Sequence, residues 1–388
     1  MGRETLSRAA FVSVAKLATA GGTRSATAKA EERARNQQGM DPLVDPKGLA
    51  HLGPIRRSLP RFDKQGNLWV LTCGMPMAEE TLLDTTGSME NNVDLAFEAL
   101  PHSYEMYTTG KAPVLGRYDV QIATAIFNDV EDQDGIPVLC RSQFEMGEKI
   151  ALQMTKLVPG RGGCGNGKED SQFGIFGATY LTTASINRYE LKYYHFTVSD
   201  EPIVPVIDPV WLLKIFGDDV FECIKETGYE FDRKGVPDTA QAVRDLQKKA
   251  HAFFLQVNGR SDVHDQWIDL YGSDHFVALP FGTEHLHCVK AAIIGLTEGV
   301  LDLSSAEEFL RNTKVDGKKM QADQAKRIVR AVAHIPLGAQ AALPNFGKLP
   351  KAGDLFRDKI DLWPVSEEEL QSESSVTDEQ SHGGVRWL

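Results

Sequence analysis

One stretch of this sequence, residues 79–89, limits the possible folds more than any other. It has the pattern of a buried strand, with Leu82 and Leu83 near its end, that breaks into a polar turn and leads into a helix. Beyond it, strand and helix patterns alternate along the chain to about residue 303. Alternation of this kind is typical of an α/β protein. We therefore predict an α/β fold with a doubly wound, mostly parallel sheet flanked by helices.

The individual elements follow from hydrophobic periodicity and from the turn residues between the periodic segments. Besides the strand that ends at residue 84, strands are expected at 67–73, 118–128, 136–144, 191–198, 250–257 and 275–279. Helices are expected at 91–104, 145–157, 174–186, 208–225, 239–249, 263–271 and 285–297, and two more at 304–311 and 320–333.

The polar turn after the first strand carries oxygen donors at alternate positions, namely Asp84, Thr86 and Ser88. One carboxylate and two hydroxyls are donors that a hard cation such as Mg²⁺ accepts. A later strand ends in Asp200, and ligands of doubly wound sheets gather at the carboxyl ends of strands where the strand order reverses. If these two strands are neighbours, Asp84 and Asp200 lie over the same crevice. The sequence therefore predicts a metal site formed by these four residues.

Residues 67–303 resemble the von Willebrand factor A (vWA) domain family. Its metal-ion-dependent adhesion site (MIDAS) reads Asp-x-Ser/Thr-x-Ser, with a hydroxyl from a second loop and an Asp from a third. Residues 118–129 are similar to the second strand of the family, and 275–279 with 291–295 are similar to its last strand and helix. The resemblance implies that Asp84, Thr86 and Ser88 from the first loop and Asp200 from the third hold Mg²⁺, or Mn²⁺ or Ca²⁺ in its place.

The second loop departs from the family pattern. Many members place a Thr after Gly-Gly, whereas this chain reads Gly-Asn-Gly-Lys-Glu-Asp-Ser over 165–171. Four residues there are candidates for the second-loop ligand, and the sequence does not choose among Asn166, Glu169, Asp170 and Ser171. Asp129, at the end of the second strand, is a candidate for accepting hydrogen bonds around the site or binding a neighbouring ion. A plain role in a turn is its alternative.

The function implied by the resemblance is divalent-cation-dependent protein binding. Mg²⁺ takes six oxygens in an octahedron, so two hydroxyls, one or two carboxylates and waters leave a position for a partner's Asp or Glu. The sequence has no Ser-His-Asp set, Cys-His pair or complete nucleotide motif, so we predict a binding module and not an enzyme. Intracellular prokaryotic or viral relatives serve as adaptors beside ATPase chaperones or within assemblies. This implies a chaperone or sister subunits as partners, in the cytoplasm or in a virion.

Two alternative functions stay open at this point. The segment 83–88 is also similar to the phosphoryl-transfer aspartates, in which Asp84 would be the nucleophile of a phosphatase. A second acidic pair for such an enzyme would be Asp218 and Asp219, which the sequence places within a helical run. The Gly-rich loop 162–168 nearly matches the phosphate-binding pattern G-x-x-x-x-G-K-[ST], but Glu169 stands where a hydroxyl belongs. Nucleotide binding at this loop is therefore the weaker alternative.

Composition and charge divide the chain into four predicted parts. These are a basic N-terminal arm and linker at 1–60, the vWA-like domain at 67–303, a helical extension at 304–365, and an acidic tail at 366–388 for which we predict disorder. The net charge of -12 argues against a nucleic-acid partner. The five cysteines contain no C-x-x-C pair, which is typical of reduced thiols inside a cell. No apolar run approaches the roughly 20 residues of a membrane-spanning helix, so no membrane partner is expected.

Overall fold

A computed structural model describes residues 23–47, 54–60, 62–65, 68–71, 74–110, 113–131, 135–162, 169–315 and 318–349. Over these residues the protein is an α/β structure in which helices flank a central, mostly parallel sheet. The predicted α/β class and the mostly parallel sheet are thus confirmed. The predicted tail at 366–388 and the first part of the basic arm lie outside the described residues.

The helices and strands are numbered in chain order. The strands are β1 (Arg56–Ser58), β2 (Phe62–Gln65), β3 (Leu68–Leu71), β4 (Pro76–Asp84), β5 (Asp119–Phe127), β6 (Leu139–Arg141), β7 (Thr182–Ala184), β8 (Tyr193–Ser199), β9 (Ala250–Gln256), β10 (Phe276–Ala278), β11 (Pro280–Thr283), β12 (Lys314–Val315) and β13 (Lys318–Lys319). The α-helices are α1 (Thr23–Arg35), α2 (Asn92–Ala99), α3 (Ser103–Thr108), α4 (Glu148–Met154), α5 (Ser171–Tyr180), α6 (Pro209–Phe216), α7 (Val220–Glu226), α8 (Thr239–Lys249), α9 (Ser261–Tyr271), α10 (Leu286–Glu298), α11 (Leu303–Asn312) and α12 (Ala322–Ala331).

The central sheet has the strand order β10-β9-β8-β4-β5-β6. All neighbouring strands are parallel except the edge strand β6, which is antiparallel to β5. The chain runs outwards from β4 to β5 and β6, then crosses to β8 on the other side of β4 and continues to β9 and β10. The strand order therefore reverses between β4 and β8, and the carboxyl ends of these two strands lie side by side.

The central strand β4 is buried along its whole length, as expected of a parallel strand covered by helices on both faces. Helix α5 packs closely on one face, because a Cβ atom at Gly174 would lie 2.3 Å from Cδ1 of Leu82. Helix α10 covers the opposite face, where Lys290 reaches Glu79. Close packing of α5 thus depends on a glycine at its contact with β4.

Two adjacent carboxylates of β4 are buried and point to opposite faces of the sheet, as successive strand residues do. Glu79 forms an ion pair with Lys290 at 3.1 Å, and both side chains are 0% exposed. Glu80 pairs with Arg141 of β6 at 2.7 Å. Burial alone would raise the pKa of Glu80, but the Arg141 guanidinium and His195 lower it to about 2. Each buried carboxylate therefore has its own cation on its own side of the sheet.

Three predicted helices differ from the structure. The helix expected at 91–104 is two helices, α2 and α3, separated by a 3-10 turn at Leu100–His102 that contains Pro101. The helix expected at 174–186 is replaced near its end by β7, whose residues Thr182 and Thr183 are β-branched and suit a strand. The helix expected at 208–225 is two helices, α6 and α7, because Gly217 has φ 93° and ends the first one. The placement of Asp218 and Asp219 within a helical run is therefore wrong, since they lie in the turn between these helices.

Two segments of the predicted arm and linker form regular structure that contacts the rest of the protein. Helix α1 lies beside α2, and β1 pairs in parallel with β7. Arg56 of β1 is buried, and its guanidinium donates hydrogen bonds to the carbonyl oxygens of Arg141 and Ser142. The predicted domain boundaries themselves stay predictions.

The segment after α12 packs near the amino end of the central strands. Gln340 is completely buried, donates a hydrogen bond to the carbonyl oxygen of Lys192 at 2.8 Å, and contacts His251 at 2.9 Å. The helices expected at 304–311 and 320–333 are present as α11 and α12. Among the helices that the structure describes, none combines the length and the apolar character needed to cross a membrane.

Candidate metal site at the carboxyl ends of β4 and β8

Asp84, the last residue of β4, forms the base of the candidate site. Its side chain is completely buried, and both of its carboxylate oxygens accept hydrogen bonds. Oδ1 accepts from the backbone N–H of Thr86 at 2.9 Å and from its hydroxyl at 2.6 Å. Oδ2 accepts from the hydroxyl of Ser199, the last residue of β8, at 2.6 Å. Asp84 is therefore held by both strands at the point where the strand order reverses.

A second set of contacts joins the first loop to the third. The hydroxyl of Thr86 lies 3.2 Å from that of Ser88. The hydroxyl of Ser88 donates to Oδ1 of Asp200 at 2.9 Å, and the side-chain amide of Asn258 donates to Oδ2 of Asp200 at 3.2 Å. The structure thus brings the four predicted site residues into one network of oxygen atoms. Their role as metal ligands stays a prediction.

The electrostatics of the network centre on Asp84. Burial raises the pKa of this carboxyl to about 7, although hydrogen bonds from Ser199 and Thr86 oppose the rise; the charge of Asp200 adds to it. A desolvated carboxylate beside a second carboxylate and three hydroxyls has the donor set that a hard divalent cation requires. The residues present therefore fit a Mg²⁺ ion.

The predicted second-loop residues occupy different places. Asn166 lies outside the described residues. The backbone of Glu169 forms a parallel bridge with Ile203, which follows the third loop. Asp170 accepts a hydrogen bond from the backbone N–H of Val130 at 2.7 Å, so its carboxyl faces the end of β5 and not Asp84.

Ser171, the fourth candidate, is the first residue of α5 and is buried. Asp129 accepts a hydrogen bond from the backbone N–H of Glu131 at 2.8 Å, and its carboxyl lies beside that of Asp170. Burial raises the pKa of Asp170, and the charge of Asp129 adds to the rise. The choice of a second-loop ligand thus stays open between Glu169, Ser171 and Asn166, while Asp170 is placed with Asp129.

Two further residues belong to the network, Ser199 and Asn258, and the sequence gives little indication of either. Ser199 immediately precedes Asp200, and the only local signal for it was a hydroxyl next to an acid at a strand end. Asn258 comes from the turn after β9 and has φ 59°, next to Gly259 with φ 55°. An Asn-Gly pair at a strand end is a turn signal, but the partner of Asn258 depends on the order of the strands.

The second loop begins in the Gly-rich segment, at residues 159–162, and its backbone at Arg161 and Gly162 is joined directly to the first loop. The N–H of Arg161 donates to the carbonyl oxygen of Thr85 at 2.7 Å, and the N–H of Gly87 donates to that of Gly162 at 2.5 Å. A Cβ atom at Gly87 would come within 3.4 Å of the Gly162 carbonyl oxygen. Most of the Gly-rich loop considered for nucleotide binding, residues 163–168, lies outside the described residues.

No cluster of three or more His, Cys, Asp or Glu side chains arranged for a metal occurs within the part of the chain that the structure describes. The network around Asp84 contains two carboxylates, three hydroxyls and the side-chain amide of Asn258. No protein-family model matches the chain, and no curated protein matches it.

Proposed function

We propose that this chain is a divalent-cation-dependent protein-binding module of the vWA type, an adaptor or assembly component. The observation that carries the proposal is the contact between Ser88 and Asp200, which joins two loops that are 112 residues apart in the sequence. Asp84 lies behind this contact, tied to both strands. The proposal therefore concerns a site built from two loops and not from a single turn motif.

The topology supports the same proposal. In doubly wound sheets, ligands bind outside the carboxyl ends of the strands where the strand order reverses. Here the reversal falls between β4 and β8. The antiparallel strand β6 lies at the edge of the sheet, beyond β5, so it does not affect the strand order at β4 and β8. The network occupies the place where such a sheet offers a ligand site.

Asp84, Ser88 and Asp200 would hold the cation, with Thr86 and Ser199 orienting the carboxylate of Asp84. A bound divalent cation supplies a positive centre with coordination positions that a partner's carboxylate can fill. A partner recognised in this way presents an exposed Asp or Glu. The family resemblance favours an ATPase chaperone or sister subunits of an assembly as that partner.

The phosphatase alternative has less support from the geometry. A phosphoryl group bound at Asp84 would lie at the carboxyl ends of β4 and β8, so an acidic pair that assists it must come from a neighbouring strand end. Asp218 and Asp219, the acidic pair considered for such an enzyme, lie in the turn between α6 and α7. We therefore favour binding over catalysis.

The first test is the response of the metal-free protein to Mg²⁺. A cation at 100 times its dissociation constant stabilises the folded state by about 2.7 kcal/mol. For a folded unit of this size, at about 2.1 cal/mol/K of unfolding entropy per residue, that corresponds to about 4–5 °C in melting temperature. Asp200→Asn should lose most of the shift, whereas Asp245→Asn, another buried aspartate but one on α8, should keep it. A wild-type protein that does not respond to millimolar Mg²⁺, Mn²⁺ or Ca²⁺ would overturn the proposal.

The second test concerns the partner's chemistry. A peptide library is selected on the immobilised protein in Mg²⁺, and the bound peptides are eluted with EDTA. The eluted sequences should be enriched in Asp or Glu at one position, and the same selection on Asp84→Asn should enrich none. If both proteins select the same acidic peptides, peptide binding does not depend on this site, and the proposal is wrong.

A further inference from the structure

We infer that Arg161 is a positioning residue through which helix α1 holds the second loop against the first loop of the site. The geometric part of this inference stands independently of any metal. Its consequence, a control of cation affinity by α1, rests on the proposed function.

The backbone of Arg161 has an unusual conformation. Its φ of 55° lies in the left-handed region, which residues other than glycine seldom occupy unless their surroundings hold them there. In this conformation its N–H binds the Thr85 carbonyl, and the next carbonyl oxygen accepts the N–H of Gly87. These two hydrogen bonds bracket Thr86, which supplies two of the hydrogen bonds to Asp84.

The side chain of Arg161 faces carboxylates of two different helices. Its Nη2 lies 2.7 Å from Oδ1 of Asp94 in α2, and its Nε lies 3.9 Å from Oε1 of Glu31 in α1. The side chains of Arg161 and Glu31 are only 15% and 9% exposed, so salt screens this pairing less than it screens a surface ion pair. One guanidinium thus contacts two helices while its own backbone binds the first loop.

Glu31 is itself fixed within α1. It accepts a hydrogen bond from the Thr27 hydroxyl at 2.6 Å and another from the Arg35 guanidinium at 3.1 Å. Its position therefore follows the position of the helix. A planar guanidinium can face two carboxylates at once, whereas a lysine ammonium on the same stem acts as a single point charge. The identity of residue 161 as arginine is what couples α1 to the loop.

This coupling has a reciprocal consequence. A partner that draws α1 away from the domain removes Glu31 from Arg161 and loosens the loop around Thr86, so the cation binds less tightly. By linkage, cation binding must strengthen the docking of α1 by the same factor. Binding of the basic arm and binding of the cation would then be coupled: an acidic partner that binds the arm would lower the affinity of the site for the cation.

Amide hydrogen exchange of Gly87 in metal-free protein tests the geometric part. In Arg161→Ala we expect this amide to exchange about threefold to fivefold faster, because the ion pairs of Arg161 with Asp94 and Glu31 are lost. Glu31→Gln should give a smaller increase in the same direction. Arg57→Ala, which removes a different arginine from an ion pair with Glu226, should leave Gly87 unchanged.

Two further variants separate the side chain from the backbone. Arg161→Gly adopts the left-handed conformation without strain, so it should still show the fast exchange of Arg161→Ala if the side chain matters. Arg161→Lys should recover only part of the protection. Wild-type exchange at Gly87 in either the Ala or the Gly variant would overturn the inference.

The affinity for Mg²⁺ tests the coupling. Isothermal titration should show binding about threefold to fivefold weaker in Arg161→Ala, with partial rescue by lysine, while the melting temperature without metal stays close to that of the wild type. Unchanged affinity in a variant with fast exchange at Gly87 would overturn the coupling. If the wild type binds no cation, the proposed function fails, and the exchange data alone decide the role of Arg161.

Discussion

Replacing Asp84 by asparagine should stabilise the metal-free protein, although it removes a residue of the proposed site. The side chain of Asp84 is buried, and burial disfavours the charged form of its carboxyl. Asparagine has the same shape, and its carbonyl oxygen can accept both hydrogen bonds from Thr86. Its NH₂ group can donate to Ser199, because a hydroxyl can turn to accept. The substitution therefore removes the buried charge and keeps the contacts.

The magnitude follows from the pKa of Asp84. Its rise from 3.8 to about 7 on folding corresponds to roughly 4 kcal/mol, at about 1.4 kcal/mol per pH unit. Because the folded carboxyl keeps its proton up to about pH 7 and the unfolded one loses it near pH 4, stability from this group is greatest below pH 4. It is lost as the pH rises towards 7. Relaxation and water entry reduce the full value, so we expect Asp84→Asn to gain about 1–3 kcal/mol at pH 8.

The assay is urea unfolding of both proteins in EDTA from pH 5 to pH 8.5. The free-energy difference between them should grow in favour of the asparagine variant as the pH rises, and it should level off above pH 7. In Mg²⁺ at 100 times its dissociation constant the wild type should gain about 2.7 kcal/mol and the variant nothing, so the advantage of the variant should be cancelled or reversed. An asparagine variant that is less stable than the wild type at pH 8 in EDTA would refute the account of Asp84 as a desolvated charge.

Three further predictions concern the core and the alternative chemistry. Lys290→Ala should cost about 3–5 kcal/mol in urea unfolding because Glu79 is left buried and unpaired, and the double change Glu79→Gln with Lys290→Met should recover most of it. Gly174→Ala should cost about 1–3 kcal/mol by overlap with a leucine of β4, whereas Gly235→Ala, whose nearest atoms are 3.8 Å away, should be close to neutral. Purified protein should not hydrolyse a generic phosphomonoester; turnover that disappears in Asp84→Asn would favour the phosphatase instead.

The sequence predicted those parts of the fold that are encoded locally. The strands β5, β8 and β9 lie within one or two residues of their predicted bounds, because buried parallel strands read as continuous apolar runs. Helix α8 has its predicted bounds, with Asp238 accepting a hydrogen bond from the N–H of Gln241 at its start. Strong local signals were enough for these elements.

The differences come from long-range pairing. Strand β7 has only three residues, and its partner β1 lies about 125 positions earlier in the chain, so no local pattern distinguishes it from the end of a helix. In the site, the spacing of Asp84, Thr86 and Ser88 was readable because it lies within one turn. The contribution of Asn258 was not, because it depends on β9 being next to β8.

The paired charges of β4 also fix how this strand can align with its neighbours. Glu79 and Glu80 face opposite layers, and each meets one buried cation there. If β4 shifted by one residue in either direction, one of the two cations would face Ala78 or Thr81 in place of a carboxylate. A shift of two residues would leave both cations without a carboxylate. An uncompensated buried charge costs about 3–5 kcal/mol, so every misaligned form of the sheet is penalised from at least one side. The two adjacent acids therefore fix the register of β4 from both faces of the sheet. The hydrophobic pattern alone would not fix it, because a parallel strand buried on both faces is apolar on both.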